Sequence, residues 1–288
     1  RPGNVIVSSI EHPSVLEPAE QLKSAGIEIR NLPVSRSGHV SVERLETAID
    51  DETRLVCVMF ANNEIGTLQP IGEIGTLCQE RKVPFHCDAV QVVGKMAIDF
   101  RELGMTTLAF SAHKFHGPKG VGFAYFKKGF GVLPMFYGGE QERGARSSTE
   151  NVHSILGMEK ALAIAFENLK EDKEYIKNIK QYFISKLEAL SKGVLFNGLS
   201  ADLNKSSFTI LNARFPINNS MLLFSLDMLG IAVSGGSACQ SGSNIGSHVL
   251  AEILNDTEAD KTSIRFSFSK FTTKDEVDIT VEKIKGLL

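Results

Sequence analysis

In the stretch Ser111-Ala112-His113-Lys114-Phe115-His116-Gly117-Pro118-Lys119-Gly120, one lysine lies between two histidines just after the apolar run Thr107-Leu108-Ala109-Phe110. A lysine at a strand end, with hydroxyl and imidazole neighbours, is a candidate Schiff-base former, because its amine becomes a nucleophile once a base or a shielded setting holds it neutral. That chemistry needs a partner set. The glycines from Gly117 to Gly122 do not supply one: the spacing and the following Ser or Thr of a phosphate-binding P-loop are missing, so a nucleotide site is not expected.

Several other positions carry the residue types such a site requires. Asp88 follows Pro84-Phe85-His86-Cys87. A carboxylate there either caps the next segment or holds a buried cation, and the protonated nitrogen of a pyridoxal ring is such a cation. Asn63 and Gln91 are uncharged donors suited to a phenolate oxygen on the same ring, with turn chemistry as the alternative for Asn62-Asn63 before Gly66. His12, before Pro13, is either a loop residue or an imidazole that stacks on a planar ring and relays protons. Arg265 is central in Ser263-Ile264-Arg265-Phe266-Ser267-Phe268. A partly buried guanidinium there needs an anion, either an internal carboxylate or a substrate carboxylate held in bidentate fashion. Cys57, Cys78 and Cys87 fall in apolar patterns and read as core. Cys239 instead lies among Gly235, Gly236, Ser237, Ala238, Gln240, Ser241, Gly242 and Ser243. Packing explains such a thiol poorly; a nucleophile carried to its substrate on an exposed loop explains it better.

The elements that must position these residues follow from periodicity. Residues 4–8, 15–24, 28–32, 41–48, 55–60, 71–81, 84–87, 107–111 and 122–126 alternate short β-branched runs with helical patterns, which indicates βαβ units and a mostly parallel sheet. Ligands bind at the carboxyl ends of such strands. Those loops carry Glu11-His12, Asn62-Asn63-Glu64, Asp88-Ala89-Val90-Gln91 and His113-Lys114. From about Asn151 the character changes to a long helical pair, 157–169 and 170–192. It is followed by residues 207–211, a helix over 219–229, the small-residue loop 233–239, a strand over 263–268 and a closing helix over 274–287 capped by Thr272 or Thr273. The expected organisation is a large sheet domain over residues 1–155 and a smaller α/β domain over 156–288 that carries the Cys239 loop.

Composition narrows the partners. Of 288 residues 42% are hydrophobic, and 31 basic against 34 acidic residues give a net charge of -3, with no footprint for nucleic acid or anionic membrane. No stretch has the apolar length of a membrane span, and Arg1-Pro2-Gly3-Asn4 lacks signal-peptide character. The four cysteines are dispersed without zinc or redox spacing, so no metal is expected, and reduced thiols in a cytoplasmic setting are. A chain that opens without Met and runs at once into Val5-Ile6-Val7 is expected to have its beginning upstream.

With these pieces in order, the sequence resembles the pyridoxal-phosphate-dependent cysteine desulfurases of the NifS and IscS type, in the fold-type I aminotransferase superfamily. The motifs that carry the likeness run through the chain in family order: Glu11-His12-Pro13, Ala61 to Thr67, Asp88 to Gln91, Ser111 to Lys114, Gly138 to Gly144, Ser237-Ala238-Cys239 and Ile264 to Ser267. The resemblance implies that Lys114 forms the covalent link to pyridoxal 5'-phosphate, Asp88 pairs with its ring nitrogen and His12 stacks on the ring. It implies that Asn63 and Gln91 bond the phenolic oxygen side, that Ser111 and His113 bond the phosphate, and that Arg265 holds the carboxylate of L-cysteine. Cys239 would receive the sulfur, and Thr149 would reach the phosphate of a neighbouring subunit, which makes the expected state a homodimer with shared sites. The sulfur would pass to an acceptor protein such as an iron-sulfur scaffold or a thiolation carrier.

The chain departs from the family in lacking its usual Asp-Asn-Ala-Ala-Thr-Thr and Gly-Thr-Glu segments, and in having Glu140 and Ser148 where glycine is usual. Residues 240–248 resemble the longer loop of the IscS-like group. Two alternatives share the same residues: a selenocysteine lyase, and a catalytically impaired fragment that serves only as a scaffold.

Overall fold

The computed structural model describes residues 3–190, 193–235 and 246–288. The first part of the chain gives β1 (Asn4–Ser8), α1 (Pro13–Leu22), β2 (Glu28–Leu32), α2 (Val42–Ala48), β3 (Thr53–Cys57), α3 (Ile71–Glu80), β4 (Phe85–Asp88), β5 (Thr107–Ser111) and β6 (Gly122–Phe126). These strands form a six-stranded sheet in the order β2-β1-β3-β4-β5-β6, parallel except for the antiparallel edge strand β6. Successive side chains of a strand point to opposite faces, and here both faces are covered. Ile6 joins Val56, Phe85 and Leu108 in the larger core, while Val5 and Val7 pack with Ala19 and Cys57 on the other side. α3 presents Ile71, Ile74, Leu77 and Cys78 to the larger core at helical spacing.

The second part gives α4 (Val152–Glu167), α5 (Leu169–Leu190), β7 (Leu195–Phe196), β8 (Ile210–Arg214), α6 (Leu222–Met228), α7 (His248–Ile253), α8 (Asp256–Ala259), β9 (Ser263–Ser267) and α9 (Lys274–Lys285). β7, β8 and β9 form an antiparallel sheet with its own core, in which Phe183 of α5 meets Phe266 of β9 edge to face at 4.7 Å. α9 closes this core with Val277 and Ile284, and Thr273 rather than Thr272 caps it, in a reciprocal capping box with Glu276. Two elements of the second part return to the first core: Met158, Ala161 and Leu162 of α4 pack against it, and Val249 and Ile253 of α7 lie within it.

The segment singled out at 207–211 is only partly strand: β8 runs over Ile210–Arg214. Ser207 and Thr209 are tied up by local hydroxyl bonds at 2.9 Å, whereas the polar Asn212 and Arg214 sit inside the sheet. Asn212 is bonded by Asn197 at 2.8 Å, and Arg214 is paired with Glu258 at 3.0 Å. Among the described residues no helix is long and apolar enough to cross a membrane, and no group of three or more His, Cys, Asp or Glu is placed to hold a metal.

Candidate active site

Because β1, β3, β4 and β5 are successive parallel neighbours, their carboxyl ends make a row with steps of about 4.8 Å. His12 follows β1, Asn63 follows β3, Asp88 ends β4 with Gln91 just beyond, and Lys114 follows β5 on a single 3-10 turn, Ala112–Phe115. His12 is also the N-cap of α1, with Pro13 in the first turn, where its missing N–H is harmless. The Ser14 N–H donates to His12 Nδ1 at 3.1 Å, so a neutral ring carries its proton on Nε2.

Electrostatics tie three of these groups together. Burial holds the His12 ring below its ordinary pKa, while Asp88 pulls it up and Lys114 pushes it down. The Asp88 carboxyl is raised by burial, against the opposing effects of the Val90 N–H at 2.9 Å and of His12, His86 and Lys114. The bond from Val90 lies in a turn, with no helix starting there, so Asp88 caps no helix. It does not relieve the burial, so the site still suits a buried cation.

Asn63, Gln91, His113, Lys114 and Arg265 converge on one cavity of about 560 Å³, within the size range of small-molecule sites. Its lining among the described residues also includes Lys95, Lys160 and Lys270 against one acid, Asp172, which pairs with Lys270 at 3.3 Å. A lining so rich in cations suits an anionic ligand such as a phosphate or a carboxylate. Arg265 donates from Nη1 to the Asn63 carbonyl at 2.9 Å, and its backbone pairs with Ser234 at 2.7 and 3.2 Å. His113 is held below its ordinary pKa by burial and by the neighbouring Lys114 and Lys119. With an amine, a buried carboxylate, neutral donors and a guanidinium around a cationic cavity, the residues present fit a phosphorylated pyridine aldehyde.

The remaining expected residues stand apart. His12 and Asp88 lie at the strand ends but do not line the cavity, and Ser111 is the half-buried last residue of β5. Thr149 is exposed, and Ser148 before it adopts φ 113, a left-handed conformation that favours glycine. Cys239 lies outside the described residues.

Three features of the site escaped sequence reasoning. Lys95 donates to Gln91 Oε1 at 3.4 Å, and burial together with Lys114 pushes its pKa down to about 8. Its position four residues after Gln91 in the same loop was the available signal. Glu11 is fully buried and its carboxyl is pushed up to about 8 by that burial, despite bonds from Ser8 Oγ and the Met59 N–H, both at 2.6 Å. An acid three residues beyond a buried strand was the clue. Glu64, next to Asn63, is bonded by Ser247 Oγ, and His248 Nε2 donates to the Glu11 carbonyl at 2.9 Å.

Comparison with known proteins bears on this arrangement. The aminotransferase class-V family matches residues 1–280. A cysteine desulfurase IscS of Clostridium botulinum (strain Hall) is 43% identical over 287 residues, which make up 99% of this chain and 72% of that protein. A cysteine desulfurase IscS of Dictyoglomus turgidum is 39% identical over 286 residues, with the same coverage of 99% and 72%. Among solved structures, one described as a NifS-like protein superposes with a TM-score of 0.90 at 36% identity, covering 100% of this chain and 75% of that one. A NifS-like protein from Rickettsia africae gives a TM-score of 0.87 at 29% identity, covering 99% and 75%.

Proposed function

Since the chain belongs to the aminotransferase class-V family and is a cysteine desulfurase, we propose that it uses pyridoxal 5'-phosphate to convert L-cysteine to L-alanine, passing the sulfur to Cys239 as a persulfide. The observation that carries this reading is the convergence of Lys114, Asn63, Gln91 and Arg265 on one cavity beside Asp88 and His12. When bound, the cofactor withdraws electrons from the substrate's α carbon and loosens its bonds.

The chain's own residues divide the remaining work. Lys114 is the covalent attachment point, and its freed amine takes and returns the proton at the α carbon. Asp88 keeps the ring nitrogen protonated, and His12 covers the ring and carries a proton near the thiols. Asn63 and Gln91 donate toward the phenolic oxygen side, while Ser111 and His113 hold the phosphate. Arg265 grips the substrate carboxylate. The Cys239 thiolate attacks the substrate sulfur: an S–S bond forms, the C–S bond breaks, and the carbon fragment takes up a proton and leaves as alanine. L-cysteine and one thiol thus become L-alanine and one persulfide, with no outside oxidant or reductant.

The working unit in this reading is a homodimer. Leu133, Met135 and Tyr137 are 84–90% exposed, and the Ser147 N–H donates to the Phe136 carbonyl at 3.4 Å, which joins this apolar strip to the stretch leading to Thr149. A second copy covering the strip accounts for the exposure and lets Thr149 reach the partner's phosphate. The sulfur then passes to an acceptor protein such as an iron-sulfur scaffold, in the cytoplasm. The free, buried Cys57, Cys78 and Cys87 support a reducing compartment.

The test is Cys239→Ser. The substituted protein is expected to take up the cofactor with its visible absorbance intact and to form neither persulfide nor alanine. Sulfide release at the wild-type rate would remove Cys239 as the nucleophile.

A further inference from the structure

Asn62, Asn63 and Glu64 form a turn that is held from several sides. Asn62 Nδ2 donates to the Ile10 carbonyl at 3.0 Å, and its Oδ1 accepts the N–H groups of Glu64 and Ile65 at 2.8 and 2.9 Å. The Glu64 carbonyl accepts from Asn212 Nδ2 of β8 at 3.1 Å.

From this turn two contacts run to residues on either side of Cys239 in the sequence. On one side Arg265, which bonds the Asn63 carbonyl, pairs its backbone with Ser234, five residues before Cys239. On the other side the Glu64 carboxyl accepts from the hydroxyl of Ser247, eight residues after Cys239. Ser247 is also the N-cap of α7, accepting the Leu250 N–H at 3.0 Å, and the next residue, His248, is fastened to the Glu11 carbonyl at 2.9 Å. Glu64 is fully buried. A polar side chain in that setting costs free energy unless it is bonded, so placing one there specifies a geometry that an apolar side chain would leave loose. Glu64 and His248 also lie close enough to His12 to perturb its ring, which puts the fastening beside the proposed proton carrier.

We propose that Glu64 is a positioning residue for sulfur transfer. Through Ser247 it ties the start of α7 to the Asn63 turn, the same turn that the substrate-binding Arg265 bonds while its backbone pairs with Ser234, so that Ser234 and Ser247, which flank Cys239 in the sequence, are both tied toward one turn. The inference rests on the desulfurase reading with Cys239 as nucleophile, and it assigns Glu64 no contact with substrate.

The test compares cofactor-loaded wild type, Glu64→Met, which removes the acceptor at similar volume, and Glu64→Gln, which keeps an acceptor oxygen. Two quantities are read: half-saturation by L-cysteine from the change in cofactor absorbance, and the single-turnover rate of persulfide formation on Cys239 by mass spectrometry. Glu64→Met is expected to slow persulfide formation roughly tenfold or more, as loss of one such bond allows, with half-saturation held within about twofold. Glu64→Gln is expected to recover most of the rate. A wild-type rate in Glu64→Met, or a loss in rate matched by an equal loss of cysteine binding, overturns the proposal. If Glu64→Met fails to load cofactor, Ser247→Ala against Ser247→Thr makes the same comparison. A wild type that forms no persulfide on Cys239 would count against the desulfurase reading itself.

Discussion

Replacing Glu11 by Gln tests the most strongly perturbed acid near the site. Its carboxyl is fully buried. The bonds from Ser8 Oγ and the Met59 N–H favour ionisation, yet burial outweighs them and the nearby Asp88 adds to the rise, from the ordinary 4.5 to about 8. The folded state therefore keeps a proton that the unfolded chain gives up near pH 4.5, and stability tied to this group is full below that pH and is lost as pH rises through about 8. At about 1.4 kcal/mol per pH unit the interval corresponds to roughly 5 kcal/mol at most. No discount for solvent screening applies to a group with no exposed surface. Gln has the same shape, and its oxygen can accept both existing bonds, but it cannot titrate. Urea unfolding of both proteins at a series of pH values from about 5 to 9 gives the difference, in which the titrating groups not coupled to Glu11 cancel. Wild type is expected to lose stability relative to Glu11→Gln steadily with rising pH, with most of the change above about pH 5. A difference that stays flat or moves the other way would refute the assignment of a neutral Glu11 in the fold.

Lys180 provides the opposite sign. It sits fully buried in the apolar stripe of α5, donating to Ser206 Oγ at 2.9 Å and the Ser207 carbonyl at 2.8 Å, and burial pushes its pKa down from 10.5 to about 7. The unfolded chain holds this proton when the folded one has released it, so stability rises with pH between those values; Lys180→Met is expected to remove that rise, read as thermal midpoints converging with wild type toward high pH. Gly75→Ala is expected to destabilise by about 1–3 kcal/mol, because a Cβ there would lie 2.0 Å from the Leu103 carbonyl oxygen. Gly72→Ala in the same helix meets only Leu103 Cδ2 at 3.8 Å, so it should be neutral or slightly stabilising in urea melts.

Sequence pattern was sufficient wherever one segment's own periodicity decides its structure. β1, β2, β5 and β6 occupy the residues their short apolar runs indicate, and the parallel order then places the loops of His12, Asn63, Asp88 and Lys114 in one row without further information. It failed where a residue's role depends on a partner far along the chain. Asn212 and Arg214 look like turn or surface residues until Asn197 and Glu258 are brought against them, which is why β8 runs beyond the segment 207–211. Lys180 interrupts an otherwise apolar stripe and reads as solvated until the Ser206-Ser207 turn covers it. α7 and α8 span six and four residues, too short for a helical period to emerge. The Glu64–Ser247 contact joins residues 183 apart, a distance at which no local pattern carries information.

Asp88 and Glu11 lie far apart in the sequence, but the fold makes them one electrostatic unit. In the proposed function Asp88 meets a cationic ring nitrogen only if it is ionised, and burial opposes that ionisation. Each charge placed on Glu11 would oppose it further, since Asp88 is among the groups that raise Glu11 and the coupling between two acids is mutual. Keeping the proton on Glu11 to about pH 8 leaves Asp88 free of that repulsion and leaves Lys114 to favour its charged form. Above that pH, ionisation of Glu11 raises Asp88 at the moment a bound cation would need it low. The neutral carboxyl of Glu11 is therefore part of what makes Asp88 usable, although it touches neither the cavity nor anything in it.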